Sequence, residues 1–216
     1  MTNTKAVLFD LDGTLLDSIR LILDSYHHTL EVHGHPPRSD AHWLAGIGTP
    51  LWVQLAEWAH DEPVLQAMIA TYRDYNVTNH DRVVRAYPGV VEMVHAIRGR
   101  GLRTGLVTSK MRTGALRGLN LLGLTDAMDT IVAVDDVANP KPHPEPVTRA
   151  AAVLELEPAS VIYVGDSVHD MASGRAAGAR TAAVLWGPFD RDHLAPSAPD
   201  FFLERPTDLL ELLAGP

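Results

Sequence analysis

Two aspartates stand two residues apart in Phe9-Asp10-Leu11-Asp12-Gly13-Thr14, directly behind the apolar run Ala6-Val7-Leu8-Phe9. A second acidic group, Gly165-Asp166-Ser167-Val168-His169-Asp170, follows the apolar run 161–164 in the same way. Carboxylates gathered at one place repel one another unless a positive charge joins them. Oxygen ligands alone suit Mg²⁺, which prefers octahedral geometry and keeps waters or substrate phosphate oxygens, whereas zinc prefers His or Cys. Two further polar signals end apolar stretches: Val107-Thr108-Ser109-Lys110, and Asn139-Pro140-Lys141-Pro142, where flanking prolines restrict the backbone around a lysine. A hydroxyl donor, a held ammonium and Mg²⁺ can surround a phosphoryl group and neutralise charge on its equatorial oxygens, the main demand of phosphoryl transfer.

For these groups to meet, the segments in front of them must lie side by side. Five short runs rich in Val, Leu, Ile and Ala, at residues 6–9, 104–107, 130–134, 161–164 and 181–185, read as strands. Their apolar character is continuous rather than alternating, the habit of a parallel sheet covered on both faces. Helical spacing at 89–99, 114–122 and 144–156 alternates with them, which predicts a doubly wound α/β sheet with its ligands at the carboxyl ends of the strands. The stretch 18–85 breaks this alternation. It shows only helix-like pieces, at 19–32, 50–60 and 63–75, and holds Trp43, Trp52 and Trp58 out of four tryptophans. We read it as an inserted helical cap between core segments 1–17 and 86–216, with Arg85-Ala86-Tyr87-Pro88-Gly89 as a hinge.

Composition narrows the partners. Among 216 residues, 18 Lys+Arg face 27 Asp+Glu for a formal charge of −9, a poor balance for a nucleic-acid binder, whose affinity rests on basic side chains displacing counterions. With no cysteine, the chain has no disulfide, thiolate metal site or cysteine nucleophile, which agrees with a cytoplasmic setting. The apolar run before Asp10 is too short for a signal sequence or a membrane span. The histidines are scattered, without a His-Glu-x-x-His pattern, and read as solvated or packed side chains.

In order, Asp10-x-Asp12-Gly13-Thr14-Leu15, Thr108 after its strand, Lys141-Pro142, and Gly165-Asp166-x-x-x-Asp170 resemble the four motifs of the haloacid dehalogenase superfamily, and together they span the chain. The resemblance implies a Rossmann-like core with a helical cap that closes over the crevice, excludes water and selects the substrate. It implies that Asp10 attacks phosphorus to form an aspartyl-phosphate, and that Asp12 protonates the leaving oxygen and then takes a proton from water. The dehalogenase branch, which displaces halide at carbon, lacks an acid at the place of Asp12. By the same resemblance Thr108 holds phosphoryl oxygens and Lys141 pairs with the phosphoryl group and Asp10. Mg²⁺ lies between Asp10, the backbone carbonyl of Asp12 and Asp166, with Asp170 orienting water or Lys141 behind them.

The cap loop Gly46-Ile47-Gly48-Thr49-Pro50 occupies the place where caps of this kind touch substrate, so Gly46, Gly48 and Thr49 join Ser109 and Lys110 as candidate substrate contacts. The resemblance implies a small phosphorylated molecule as substrate. Residues 75–77, His80-Asp81, Asp135-Asp136-Val137, 144–147 and 165–170 resemble the inorganic pyrophosphatases of the superfamily, and phosphoglycolate phosphatases are similarly near. A departing phosphate would welcome Arg20, Lys110 or Arg112 beside it. The alternative of a sugar-phosphate mutase calls for a basic cap residue, which is missing between Arg38 and Arg73, and for a histidine where this chain has Ile22. A catalytically idle binding module on the same fold is the remaining alternative, against which the intact set Asp10, Asp12, Thr108, Lys141 and Asp166 speaks.

Overall fold

The structure is a computed structural model and describes residues 4–215. The chain runs through β1 (Ala6–Phe9), β2 (Leu16–Asp17), α1 (Ile19–Val32), α2 (Asp40–Leu44), α3 (Leu51–Leu55) and α4 (Glu62–Val83). It continues through β3 (Arg85–Ala86), α5 (Val90–Gly99), β4 (Arg103–Val107), α6 (Arg112–Leu122), β5 (Thr130–Val132) and α7 (Glu145–Val153). The last elements are β6 (Val161–Gly165), α8 (Val168–Ala176), β7 (Arg180–Val184), α9 (Arg191–Leu194), β8 (Phe201–Leu203) and α10 (Pro206–Ala214).

Six of these strands form one parallel sheet in the order β5-β4-β1-β6-β7-β8. The sheet is apolar on both faces, as the continuous runs require. Val7 and Phe9 of β1 pack with α5 and α6 through Met93, Val94, Ile97 and Leu119, while Ala6 and Leu8 face α7 through Val147, Ala150 and Ala151. In the register Phe9 lies opposite both Leu106 and Val164, so β1, β4 and β6 end at one level. The next residues of each chain segment therefore enter one crevice.

The segment between β2 and β3 is helical throughout its regular elements, and these two short strands run antiparallel, Leu16 opposite Ala86 and Asp17 opposite Arg85. Helices α1 and α4 pack along each other around Leu23, Tyr26, Leu30, Met68, Ile69 and Tyr72, with Trp43 stacked on Tyr26 at 4.3 Å between ring centroids. Asp61 caps α4 by accepting from the Val64 amide at 2.9 Å, and Pro63 sits in the first turn, where its missing N–H costs nothing. No helix among the described residues is long and apolar enough to cross a membrane.

Several elements differ from the sequence reading. The strand expected at 130–134 stops at Val132, because the Asp136 carboxylate accepts from the Ala133 amide at 2.8 Å and turns residues 134–136 into a 3₁₀ turn. The helix expected at 50–60 breaks into α3 and the 3₁₀ turn Ala56–Trp58 before the chain extends at Ala59. The one expected at 63–75 runs on to Val83. Strands β2, β3 and β8 and helices α2, α9 and α10 lie outside the elements read from the sequence.

Candidate active site

The turn that follows β1 carries Asp10 and Asp12 and closes on Gly13, whose φ of +87° belongs to the left-handed region. A Cβ there would lie 2.4 Å from the Asp166 carboxylate, so glycine lets the turn press directly against the loop after β6. Asp10 is buried, and its amide donates to the Val164 carbonyl at 2.8 Å. Lys141, also buried, reaches it from the loop before α7 and uses three donors at once, to Asp10 at 2.9 Å, Asp170 at 2.6 Å and the Tyr163 hydroxyl at 3.2 Å.

Asp170 has two tasks. It closes a capping box at the start of α8, where its own amide donates to Ser167 Oγ and its Oδ2 accepts from the Ser167 amide at 3.1 Å. Its Oδ1 accepts from Lys141 and from the Tyr163 hydroxyl at 2.8 Å. Asp166 is different. Thr14 donates to its Oδ1 at 3.0 Å, but Oδ2 is buried without a hydrogen-bond partner.

Burial first, and then neighbouring charge, explains the titration of the group. Burial pushes the Asp10 carboxyl up to about 7, with Asp170 and Asp12 adding to the rise and Lys141 opposing it. Burial, Asp170 and Asp10 likewise hold Asp166 well above the usual carboxylate range. Asp10, Asp166 and Asp170 offer oxygens within 4.8 Å of one another, with one lysine among them. A divalent cation fits this place: the donors are hard oxygens, the cluster is short of positive charge, and the Asp166 oxygen lacks a partner.

The second aspartate meets a different environment. Lys110 Nζ lies 2.9 Å from both oxygens of Asp12, and Ser18 donates to its Oδ1 at 2.6 Å. Burial raises the Asp12 carboxyl, but Lys110 and Ser18 outweigh it and the pKa falls below the ordinary value. Thr108 is buried beside them and lines the same cavity.

That cavity, about 460 Å³, opens in front of Asp10 and Asp12 and is roofed by the helical unit. Gly48, Thr49, Ser109 and Lys110 line it; Gly46 lies behind, its carbonyl accepting from Gln54 and Thr49. Ser109 donates to the Gly48 carbonyl at 2.6 Å, which ties the loop after β4 to the helical unit. Gly48, at φ +96°, presses so close to Ser167 that a Cβ would meet its hydroxyl at 2.6 Å.

Of the three basic residues expected near a departing phosphate, Lys110 faces the cavity. Arg20 instead pairs with Asp24 at 2.6 Å and Arg112 with Asp136 at 2.5 Å. His42 turns to Glu57, and Trp43 is core, whereas Trp52 borders the cavity. Sequence reasoning missed Tyr163, Ser18 and Thr14 as partners of the acidic groups. It also missed Arg73, a cavity-lining cation that α4 brings in from far along the chain. Ser18 sat beside the predicted insertion point, the one signal that could have drawn attention to it.

A parallel α/β sheet with opposed carboxylates and lysines at its strand ends, covered by a helical insertion, defines a hydrolase of Rossmann-like architecture. The chain belongs to the haloacid dehalogenase-like hydrolases, whose family model matches residues 7–184. It is similar to Pyrophosphatase PpaX of Anoxybacillus flavithermus, 41% identical over 98% of this chain and 97% of the relative. The PpaX of Bacillus pumilus is also 41% identical, with the same coverage. Among solved structures, a "predicted phosphoglycolate phosphatase" from Haemophilus somnus superposes with a TM-score of 0.90 at 25% identity, covering 99% of both chains.

Proposed function

We propose that this phosphate-bond hydrolase cleaves inorganic pyrophosphate into two phosphates through a phosphoryl group carried transiently on Asp10. The observation that carries the reading is the grip of Lys110 on both oxygens of Asp12, 2.9 Å each. An alkyl phosphate releases an alkoxide, which needs a proton from an acid at the place of Asp12. A carboxyl held ionised by Lys110 and Ser18 is a poor acid. Singly protonated pyrophosphate releases hydrogenphosphate, a weak base that can leave unprotonated and is stabilised by the Lys110 ammonium. The PpaX relatives, 41% identical and named pyrophosphatases, support the same substrate.

In the first step an Asp10 oxygen bonds to phosphorus while the bridging P–O bond breaks and its electron pair leaves with hydrogenphosphate. Lys141 orients Asp10 and pulls its carboxyl towards the ionised, nucleophilic form against the effect of burial. Thr108 donates to the transferring phosphoryl oxygens. In the second step water attacks phosphorus, Asp12 takes the water's proton, and the Asp10–phosphorus bond breaks to release the second phosphate. Asp10, the backbone carbonyl of Asp12 and Asp166 would hold Mg²⁺, with Asp170 positioning Lys141 behind them. When bound, the ion supplies positive charge to the phosphoryl oxygens. Residues 18–85 act as a cap over the core formed by 1–17 and 86–216, with Gly48 and Ser109 joining the two at the mouth of the site and Thr49 lining it.

A small monoester such as phosphoglycolate is the second reading, favoured by the apolar cavity walls at Ile47, Leu51 and Trp52. Phosphate release with Mg²⁺ from pyrophosphate, phosphoglycolate, a hexose 1-phosphate and nucleotides separates the readings. The expected result is the highest kcat/KM for pyrophosphate, with free phosphate as sole product. An isomerised sugar phosphate would mark a mutase, and no turnover of any substrate would mark a binding module.

A further inference from the structure

Among the described residues, two guanidinium groups border the cavity, and they differ in what they bond. Arg117 on α6 gives Nε and Nη2 to the two oxygens of Asp81 at 2.9 and 3.0 Å, so its charge is matched by a bidentate pair. Arg73 on α4 forms no ion pair with any described carboxylate. The one side-chain hydrogen-bonding contact of Arg73 is with the thioether of Met111. A thioether is a weak acceptor, and a guanidinium has five donors to satisfy.

The position of that contact matters. Met111 directly follows Lys110, so the Arg73 guanidinium stands beside the loop whose lysine holds Asp12. One cation thus comes from the sheet and one from the helical unit, both into the same cavity. Leu51, Trp52 and Val77 line it near them, and apolar walls strengthen any charge interaction made there. A cation with unused donors that lines the same cavity as a second cation matches an anion with several oxygens.

We infer that Arg73 is a specificity-determining residue that grips, with Lys110, the phosphate on the leaving side, so that the preferred substrates carry a second phosphate next to the one that reacts. The inference rests on the phosphohydrolase reading of the site and deepens it. It places part of the substrate recognition on the cap and makes recognition depend on the cap being seated over the core.

The test uses methylenediphosphonate, whose P–C–P bridge is not hydrolysed, and orthophosphate, which offers one phosphate only. Binding of each is measured by calorimetry with Mg²⁺ in the wild type, Arg73→Ala and Arg73→Lys. Arg73 is exposed on a long helix, so its replacement by alanine leaves packing intact, and a melting curve verifies this. Loss of charged hydrogen bonds should weaken methylenediphosphonate about ten- to a hundredfold in Arg73→Ala. Orthophosphate should change far less, and Arg73→Lys should recover part of the loss. Equal weakening of both ligands, or no weakening of either, overturns the inference. A wild type that binds methylenediphosphonate but releases no phosphate from pyrophosphate would instead sink the proposed activity and leave the role of Arg73 readable.

Discussion

Asp10 and Asp12 share one turn, and each is held by a lysine at 2.9 Å, yet their environments set them apart. The Lys141–Asp10 pair is 1% and 6% exposed, and its lysine is divided between Asp10 and Asp170 with Asp166 close by. The Lys110–Asp12 pair is 18% and 16% exposed, and its lysine serves that aspartate alone. Burial, together with the deficit of positive charge left by one ammonium among three carboxylates, makes Asp10 and Asp166 titrate upward. One ammonium on one carboxylate leaves none, and Asp12 titrates downward. The same two residue types are thereby fitted for the different work the proposed function gives them, Asp10 as nucleophile beside a cation site and Asp12 as an ionised base.

The contrast can be broken most severely at Asp10. Asp10→Asn keeps the shape but removes the oxygen proposed to attack phosphorus, and the rate of phosphate release should fall at least about 10³-fold on every substrate. Next in size is Lys141→Met, which leaves Asp10 and Asp170 buried without their cation. Denaturant unfolding should show a loss of about 3–5 kcal/mol. If the loss were as small as that of the partly exposed Lys110→Met, the distinction between the two pairs would not hold.

How much of this was legible in the residues depends on distance along the chain. Most strand-end loops were readable because they carry their chemistry in a few consecutive residues behind an apolar run, as at Asp10, Thr108, Asp166 and Asp170; Lys141 lies farther beyond β5 and was marked by its flanking prolines. Strand β8 was not readable, since three residues make too short a run. Tyr163 looked like any other apolar member of β6, and only the fold reveals that its hydroxyl meets Lys141 and Asp170. Arg73 enters the sequence reading only as the end of a stretch without basic residues. Its relevance arises because α4 crosses back over the crevice, a tertiary fact with no local signature.

A divalent cation should sharpen the comparison. Because the folded carboxyls of Asp10 and Asp166 are raised, the cation-free native state binds protons more tightly than the unfolded chain. Their stabilising contribution is full below the unfolded carboxylate pKa of about 4 and is lost as pH rises through the folded value, about 7 for Asp10. Mg²⁺ competes with those protons, so it should raise the melting temperature more at pH 8 than at pH 5. At a hundred times its Kd the gain is about 2.7 kcal/mol. An equal gain at both pH values would place the ion elsewhere.

The smallest of these effects bears most directly on the claim that Lys110 adapts Asp12 to a phosphate leaving group. The measurement is kcat/KM for pyrophosphate and for phosphoglycolate, in the wild type and Lys110→Ala, at one pH with saturating Mg²⁺. Removal of the ammonium should cost pyrophosphate about tenfold, or about 1.4 kcal/mol. Phosphoglycolate should lose less, because Asp12 freed of Lys110 is more readily protonated and becomes a better acid for an alkoxide. A fall in the ratio of the two constants is the predicted result, and an equal fall for both substrates, with the ratio unchanged, would contradict the account.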